Sequence, residues 1–166
     1  MKIINTNIDG LVIIEPSVFS DDRGYFFEPY NKSSFDLKIK KTNFIQDNES
    51  KSSRGVLRWF HFQKPPYDQA KLVRCIKGEV LDVAVDLRKK SNSFGKYKKV
   101  VLSEINKRQL FIPRGFAHAF LVLSKEAIFS YKVDNQYKPE FDSGIIWKDN
   151  TLNIDWNFPN EQLIIS

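Results

Sequence analysis

One cysteine, two histidines and one methionine in 166 residues set the first limits. Cys75 alone cannot form an internal disulfide, so nothing covalent staples the fold, and a reducing cytoplasm suits it. It stands in an apolar alternating stretch, which reads as an inert buried thiol. No run of about 18 apolar residues occurs, so no membrane span is expected. The opening "MKIINTNIDGLVII" carries a polar interruption and lacks a small-residue cleavage site, so it does not read as a signal peptide. No repeat, low-complexity tract or linker divides the chain, and residues 1–166 read as one globular domain. Charge of neither sign dominates: 26 Lys and Arg against 20 Asp and Glu leave +6, with the basic residues scattered. No nucleic-acid partner is expected, since such binding draws on a concentrated patch, but charge alone does not decide it: the same modest excess equally suits a small anionic ligand such as a sugar nucleotide.

Aromatic residues are plentiful, with 14 Phe, 6 Tyr and 3 Trp, and flat rings favour pleated surfaces. Period-two alternation recurs. In "VLDVAVDLR", residues 80–88, Leu81, Val83, Val85 and Leu87 share one face, while Asp82, Ala84, Asp86 and Arg88 share the other. Shorter runs occur at "LVIIEP", "YFFEPY", "GVLRWFHFQ", "KLVRCI", "KKVVLS", "QLFIP", "AFLVLS" and "AIFSYKV". Turn residues separate them at 21–24, 52–55, 64–66, 77–78, 91–95 and 113–115. "NKSSFDLKI" offers a short helix capped by Asn31. The pattern predicts an all-β sandwich or barrel, with a jelly roll as a leading option.

His61 lies inside a run of large aromatics that reads as buried, and is either a satisfied core histidine or a base. Strict alternation over 56–63 puts Leu57, Trp59, His61 and Gln63 on one face and turns Arg58 away from it. Lys71 shares a face with Val73 and Cys75. An ammonium among such neighbours either snorkels to solvent or has a partner or a task. In "IPRGFAHAF", Pro113, Gly115 and His118 form a turn that delivers the second histidine to a strand entrance. This Pro-x-Gly-x-x-His pattern resembles the second motif of the cupin superfamily, a double-stranded β-helix barrel. Metal-binding cupins carry His-x-His and then Glu in the first motif. Here that motif reads His61-Phe62-Gln63 with no Glu at suitable spacing, a poor donor set, so no metal is expected. Tyr131 in a strand and Tyr137 in a turn before Pro139 read as rim or core residues, or as proton donors beside an imidazole.

Taken together, "DDRGYFFEPYN", "FIQDNESKSSRGVLR", "HFQ", "AKLVRCIKGEVLDVAVDLRKKSNSFGKY", "LFIPRGFAHAFLVLS", "YKVDNQYKPEFDSGIIWKDNTLNIDW" and "LIIS" resemble the dTDP-4-dehydrorhamnose 3,5-epimerase family across nearly the whole chain. These are metal-free cupins, jelly-roll barrels with one or two short helices, acting on nucleotide-linked 4-keto-6-deoxy sugars. The resemblance implies that His61 is the proton acceptor, Tyr131 the donor on the opposite ring face, and Lys71 the group near the C4 carbonyl oxygen. It further implies contacts to sugar, diphosphate or base from Arg23, Phe26, Glu28, Gln46, Asn48, Arg58, Gln63 and His118. Tyr137 would supply a second ring and Asp142 an acidic contact. A homodimer with exchanged strands is implied, in which Arg23 and Glu28 serve the partner's pocket. No cofactor is expected.

Two departures accompany the resemblance. Trp59-Phe60 stand where the family has Gly-Leu, which would send an indole into space otherwise open to substrate. The family also usually continues past "LIIS" to an aspartate that pairs with the catalytic histidine, a position beyond these 166 residues. Three functions therefore compete: a double epimerase of deoxysugar biosynthesis for surface polysaccharide, a one-carbon epimerase on another sugar such as a GDP-linked or heptose substrate with Trp59 as limiting wall, and an inactive sugar-nucleotide-binding cupin.

Overall fold

The computed structural model describes residues 1–166. In chain order it contains β1 (Lys2–Asn5), β2 (Val12–Glu15), β3 (Val18–Asp21), β4 (Gly24–Phe27), α1 (Lys32–Lys38), β5 (Gln46–Ser53), β6 (Val56–Gln63) and β7 (Lys71–Lys77). It continues with β8 (Glu79–Asp86), β9 (Tyr97–Ser103), β10 (Gln109–Ile112), β11 (Phe116–Val122), β12 (Glu126–Val133), β13 (Asp142–Ile145) and β14 (Ile164–Ile165). One sheet runs β1-β2-β10-β7-β12-β5 and the other β13-β6-β11-β8-β9, with β14 parallel to β6. They pack in a jelly-roll arrangement, as the alternation predicts. No helix is long and apolar enough to cross a membrane.

Three apolar layers hold the sheets. Between them, Val73, Leu110, Ile112 and Phe129 from the first sheet meet Val80, Ala84, Phe116 and Phe120 from the second. Each of these Val, Leu, Ile and Phe side chains contributes about 1.5–3 kcal/mol relative to exposure. The outer face of the first sheet packs Val12, Ile14, Leu72 and Phe111 against Phe35 of α1. Asn31 caps that helix as expected, its side-chain oxygen accepting from the Ser34 N–H at 3.1 Å. The outer face of the second sheet, with Leu81, Val83 and Val85 of β8, is covered by the C-terminal segment carrying Trp147, Trp156 and Phe158. Thus β8 is buried on both faces, and Asp82 and Asp86 go into the interior with it.

Several strands were not legible as alternating runs: β1, β3, β5, β13 and β14. The sequence of β5, "QDNESKSS", is wholly polar, as suits an edge strand bonded only to β12. The hairpin β3–β4 forms a small sheet of its own, with Phe19 and Phe26 about 70% exposed (68% and 70%), so the sandwich does not cover it.

Candidate active site

A cavity of about 540 Å³ opens between the two sheets. Gln46, Asn48 and Ser50 reach it from β5, Arg58, Trp59 and His61 from β6, Lys71 from β7, His118 from β11 and Tyr131 from β12. Tyr137 and Asp142 close one side. Two basic side chains, Arg58 and Lys71, face one carboxylate, Asp142, which favours an anionic occupant.

Strict alternation fails in β6, and the failure builds the site. Opposite β11, His61 pairs with His118 and Arg58 pairs with Phe120. Two residues, Trp59 and Phe60, therefore oppose the single Ala119, which is a β-bulge. The extra residue reverses the strand's phase, so Arg58 and His61 share the cavity face rather than pointing apart. Phe60 turns outward to pack on Trp156, their ring centroids 5.8 Å apart. Trp59 reaches the cavity as expected, its ring centroid 5.2 Å from that of His61. It rests on Gly144: a Cβ there would lie 3.0 Å from the indole and 2.7 Å from the Phe60 carbonyl oxygen.

The two histidines exchange the environments their neighbours suggest. His61 is exposed at the cavity, not enclosed by the surrounding aromatics, because the bulge aims it out of the core. Desolvation by the walls lowers its pKa from 6.5, against an upward pull from Asp142, while Lys71, His118 and Arg58 lower it further. His118 is the satisfied core histidine, buried with Nε2 2.8 Å from Asp82 Oδ2. The turn that delivers it requires Gly115, at φ +83°, where a Cβ would fall 2.7 Å from Arg88 Cγ.

Lys71 does not snorkel to bulk solvent; its ammonium lines the cavity, 5.9 Å from the Tyr131 ring centroid. Burial lowers its pKa to about 8, opposed by the charges of Asp82 and Asp142. Burial raises that of Tyr131, with Arg58 pulling the other way. Asn48 sits beside Tyr131 in the ladder, and its side-chain oxygen accepts from Gln46 at 2.8 Å. Asp142 raises the pKa of Tyr137, whose hydroxyl lies 3.4 Å from Asp142 Oδ2. The single thiol, Cys75, is buried, and desolvation pushes it up to about 12.

Four expected contact residues stand differently. Gln63 borders the cavity, but its amide is occupied: Nε2 donates to the carbonyls of Tyr67 and Gln136, and Oε1 accepts from Lys138 N–H. It braces two loops, with both amide protons engaged. Arg23, Phe26 and Glu28 do not line the cavity of their own chain, because the hairpin carries the first two clear of the sandwich and Glu28 follows it. Arg23 instead pairs with Asp21 at 2.6 Å. The sequence reading missed Ser50, Phe62, Gln69, Phe120 and Ser166. Recognising β5 as a strand would have found Ser50, two and four residues on from Asn48 and Gln46.

Comparison with known proteins bears on the family and the fold. The family model for dTDP-4-dehydrorhamnose 3,5-epimerase matches residues 5–166. The dTDP-4-dehydrorhamnose 3,5-epimerase of Escherichia coli K12 is 54% identical over 157 residues, covering 94% of this chain and 85% of that protein. The crystal structure of the corresponding protein from Elizabethkingia anophelis NUHP1 superposes with a TM-score of 0.96 at 50% identity, over 100% of this chain and 91% of that one. A Legionella pneumophila dTDP-6-deoxy-D-glucose-3,5-epimerase in complex with dTDP-4-keto-L-rhamnose gives 0.95 at 46% identity, over 99% and 87%. With the jelly roll, the ordered motifs and these matches in agreement, the chain belongs to the dTDP-4-dehydrorhamnose 3,5-epimerase family.

Proposed function

We propose that this protein inverts C3 and C5 of a dTDP-linked 4-keto-6-deoxy sugar by removing a proton beside the ketone and returning one to the opposite face. The observation that carries the reading is the division of groups between the sheets. His61 extends from one sheet, while Lys71 and Tyr131 extend from the other, and all three line one cavity. Inversion needs an acceptor and a donor on opposite faces of a ring, and a ring held between two sheets meets that condition.

The chemistry of each group follows from its state near pH 7. An imidazole with a pKa below 6.5 is neutral and able to accept the proton as His61. The electron pair left on carbon delocalises onto the C4 oxygen, where the ammonium of Lys71 offsets the charge. The phenol of Tyr131, its pKa raised by burial, keeps its proton until the carbanion claims it from the other face. Arg58 suits the diphosphate, since a guanidinium gives paired hydrogen bonds to phosphate oxygens. Gln46, Asn48 and His118 contact the sugar or base, Tyr137 lies beside sugar or nucleotide, and Asp142 supplies the acidic contact. The dTDP carrier, in preference to GDP, is supported by the names of the relatives.

The same reading includes a homodimer with exchanged strands. The exposed Phe19, Tyr25 and Phe26 of the β3–β4 hairpin support it, because a second copy would cover them and bring Arg23, Phe26 and Glu28 to its own cavity. Incubation with dTDP- and GDP-linked 4-keto-6-deoxyglucose, followed by product stereochemistry, tests the function. Inversion at both carbons of the dTDP sugar is expected. Unchanged stereochemistry with intact binding would make the protein a sugar-nucleotide-binding cupin instead.

A further inference from the structure

Asp82 is a fully buried carboxylate that lies outside the cavity lining and has no part in the reaction as described so far. It sits on the inward face of β8, among Val80 and Ala84 of the core between the sheets. One oxygen, Oδ2, meets His118 Nε2 at 2.8 Å. The other, Oδ1, is the single buried side-chain nitrogen or oxygen in the protein with no hydrogen-bond partner. A buried carboxylate so poorly satisfied is costly to fold, and its retention needs a reason.

A second carboxylate on the same strand shows what a structural role looks like. Asp86 is equally buried, and it accepts from the Arg88 backbone N–H and guanidinium and from the Ser91 and Ser93 hydroxyls. Asp82 has none of that support. What it bonds instead is a cavity residue, His118, and its charge favours the protonated form of another, Lys71.

We propose that Asp82 is a positioning residue for the epimerase, orienting His118 through one oxygen and holding Lys71 as an ammonium ion through its buried charge. This rests on the function proposed above. The bond from Asp82 occupies Nε2 and so fixes the His118 ring, leaving Nδ1 as its remaining hydrogen-bonding atom. The charge acts at the moment the enolate forms. Desolvation favours the neutral amine at position 71, and a neutral amine would leave the developing oxygen charge without its cation. The other charged or titratable groups around Lys71 are Asp142 of β13, His61 and Arg58 of β6, His118 of β11 and Tyr131 of β12. Of the two carboxylates acting on Lys71, Asp142 faces the open cavity, while Asp82 lies in the core, where charge is screened least.

The test is Asp82→Asn, which keeps shape and a hydrogen-bond acceptor but removes the charge. Steady-state epimerisation of a dTDP-linked 4-keto-6-deoxyglucose is measured across pH for variant and wild type, beside dTDP affinity and thermal midpoint. The expected result is near-normal dTDP affinity, a kcat lower by roughly tenfold or more, and an alkaline limb moved to lower pH. A kcat loss with the alkaline limb in place would overturn the hold on Lys71, and unchanged kinetics would overturn the proposal as a whole. If D82N does not fold, D82S is read by the same criteria. Absence of turnover in the wild type overturns the epimerase reading itself, and the inference with it.

Discussion

Neighbouring groups in the proposed reaction must hold opposite charge states at one pH, a neutral imidazole at His61 and an ammonium at Lys71. Burial moves both downward, His61 from 6.5 and Lys71 from 10.5 to about 8. The consequence for rate has a definite sign. Below the lowered His61 value the base is already protonated, so turnover falls with acid. Above about pH 8 Lys71 loses its proton and the enolate its cation, so turnover falls again. A plot of kcat/KM against pH, which reports the free enzyme, is expected to be a bell with its acid limb below 6.5 and its alkaline limb near 8. A rate that keeps climbing well beyond the Lys71 value would remove that residue from the role. Thiol chemistry has no part here, since Cys75 is buried and its pKa pushed up to about 12.

At the scale of elements, the bulge in β6 decides what the cavity contains. Trp59 and Phe60 share one step of the ladder, and this brings Arg58 and His61 to the same face. Gly144 holds the arrangement, because its missing side chain is where the indole of Trp59 rests. Gly144→Val would place a Cβ 2.7 Å from the Phe60 carbonyl oxygen. The expected cost is about 1–3 kcal/mol, read as a lower urea midpoint, with reduced turnover as Trp59 is displaced toward His61. An unchanged midpoint would show that β13 absorbs the side chain without strain. Much of the fold was legible at this scale: alternation marked β8 and the other central strands, and Asn31 marked α1. The bulge was not, because a period-two pattern carries no sign of an inserted residue when both residues are aromatic and both find apolar or ring contacts. Edge strand β5 was hidden by its polarity, and with it Ser50. Asp82 was visible as a charge within an apolar alternating strand, but periodicity along one strand carries no sign of its bond to His118 on the next.

Across the whole molecule, two sheets from distant parts of the chain converge on one cavity, and the hairpin β3–β4 stands apart with its aromatics exposed. Sedimentation equilibrium is expected to give a dimer for the wild type and a shift toward monomer for Phe26→Asp; a monomeric wild type would contradict strand exchange. The central claim remains that an imidazole on one sheet takes the proton whose replacement comes from the other. Its most direct measurement is deuterium uptake from D₂O into a dTDP-linked 4-keto-6-deoxyglucose, followed by NMR at C3 and C5 for wild type and His61→Ala. The account predicts label at both carbons with wild type and a loss of at least about 10²-fold with His61→Ala, dTDP affinity being nearly unchanged. Label entering at the wild-type rate without the imidazole would contradict it.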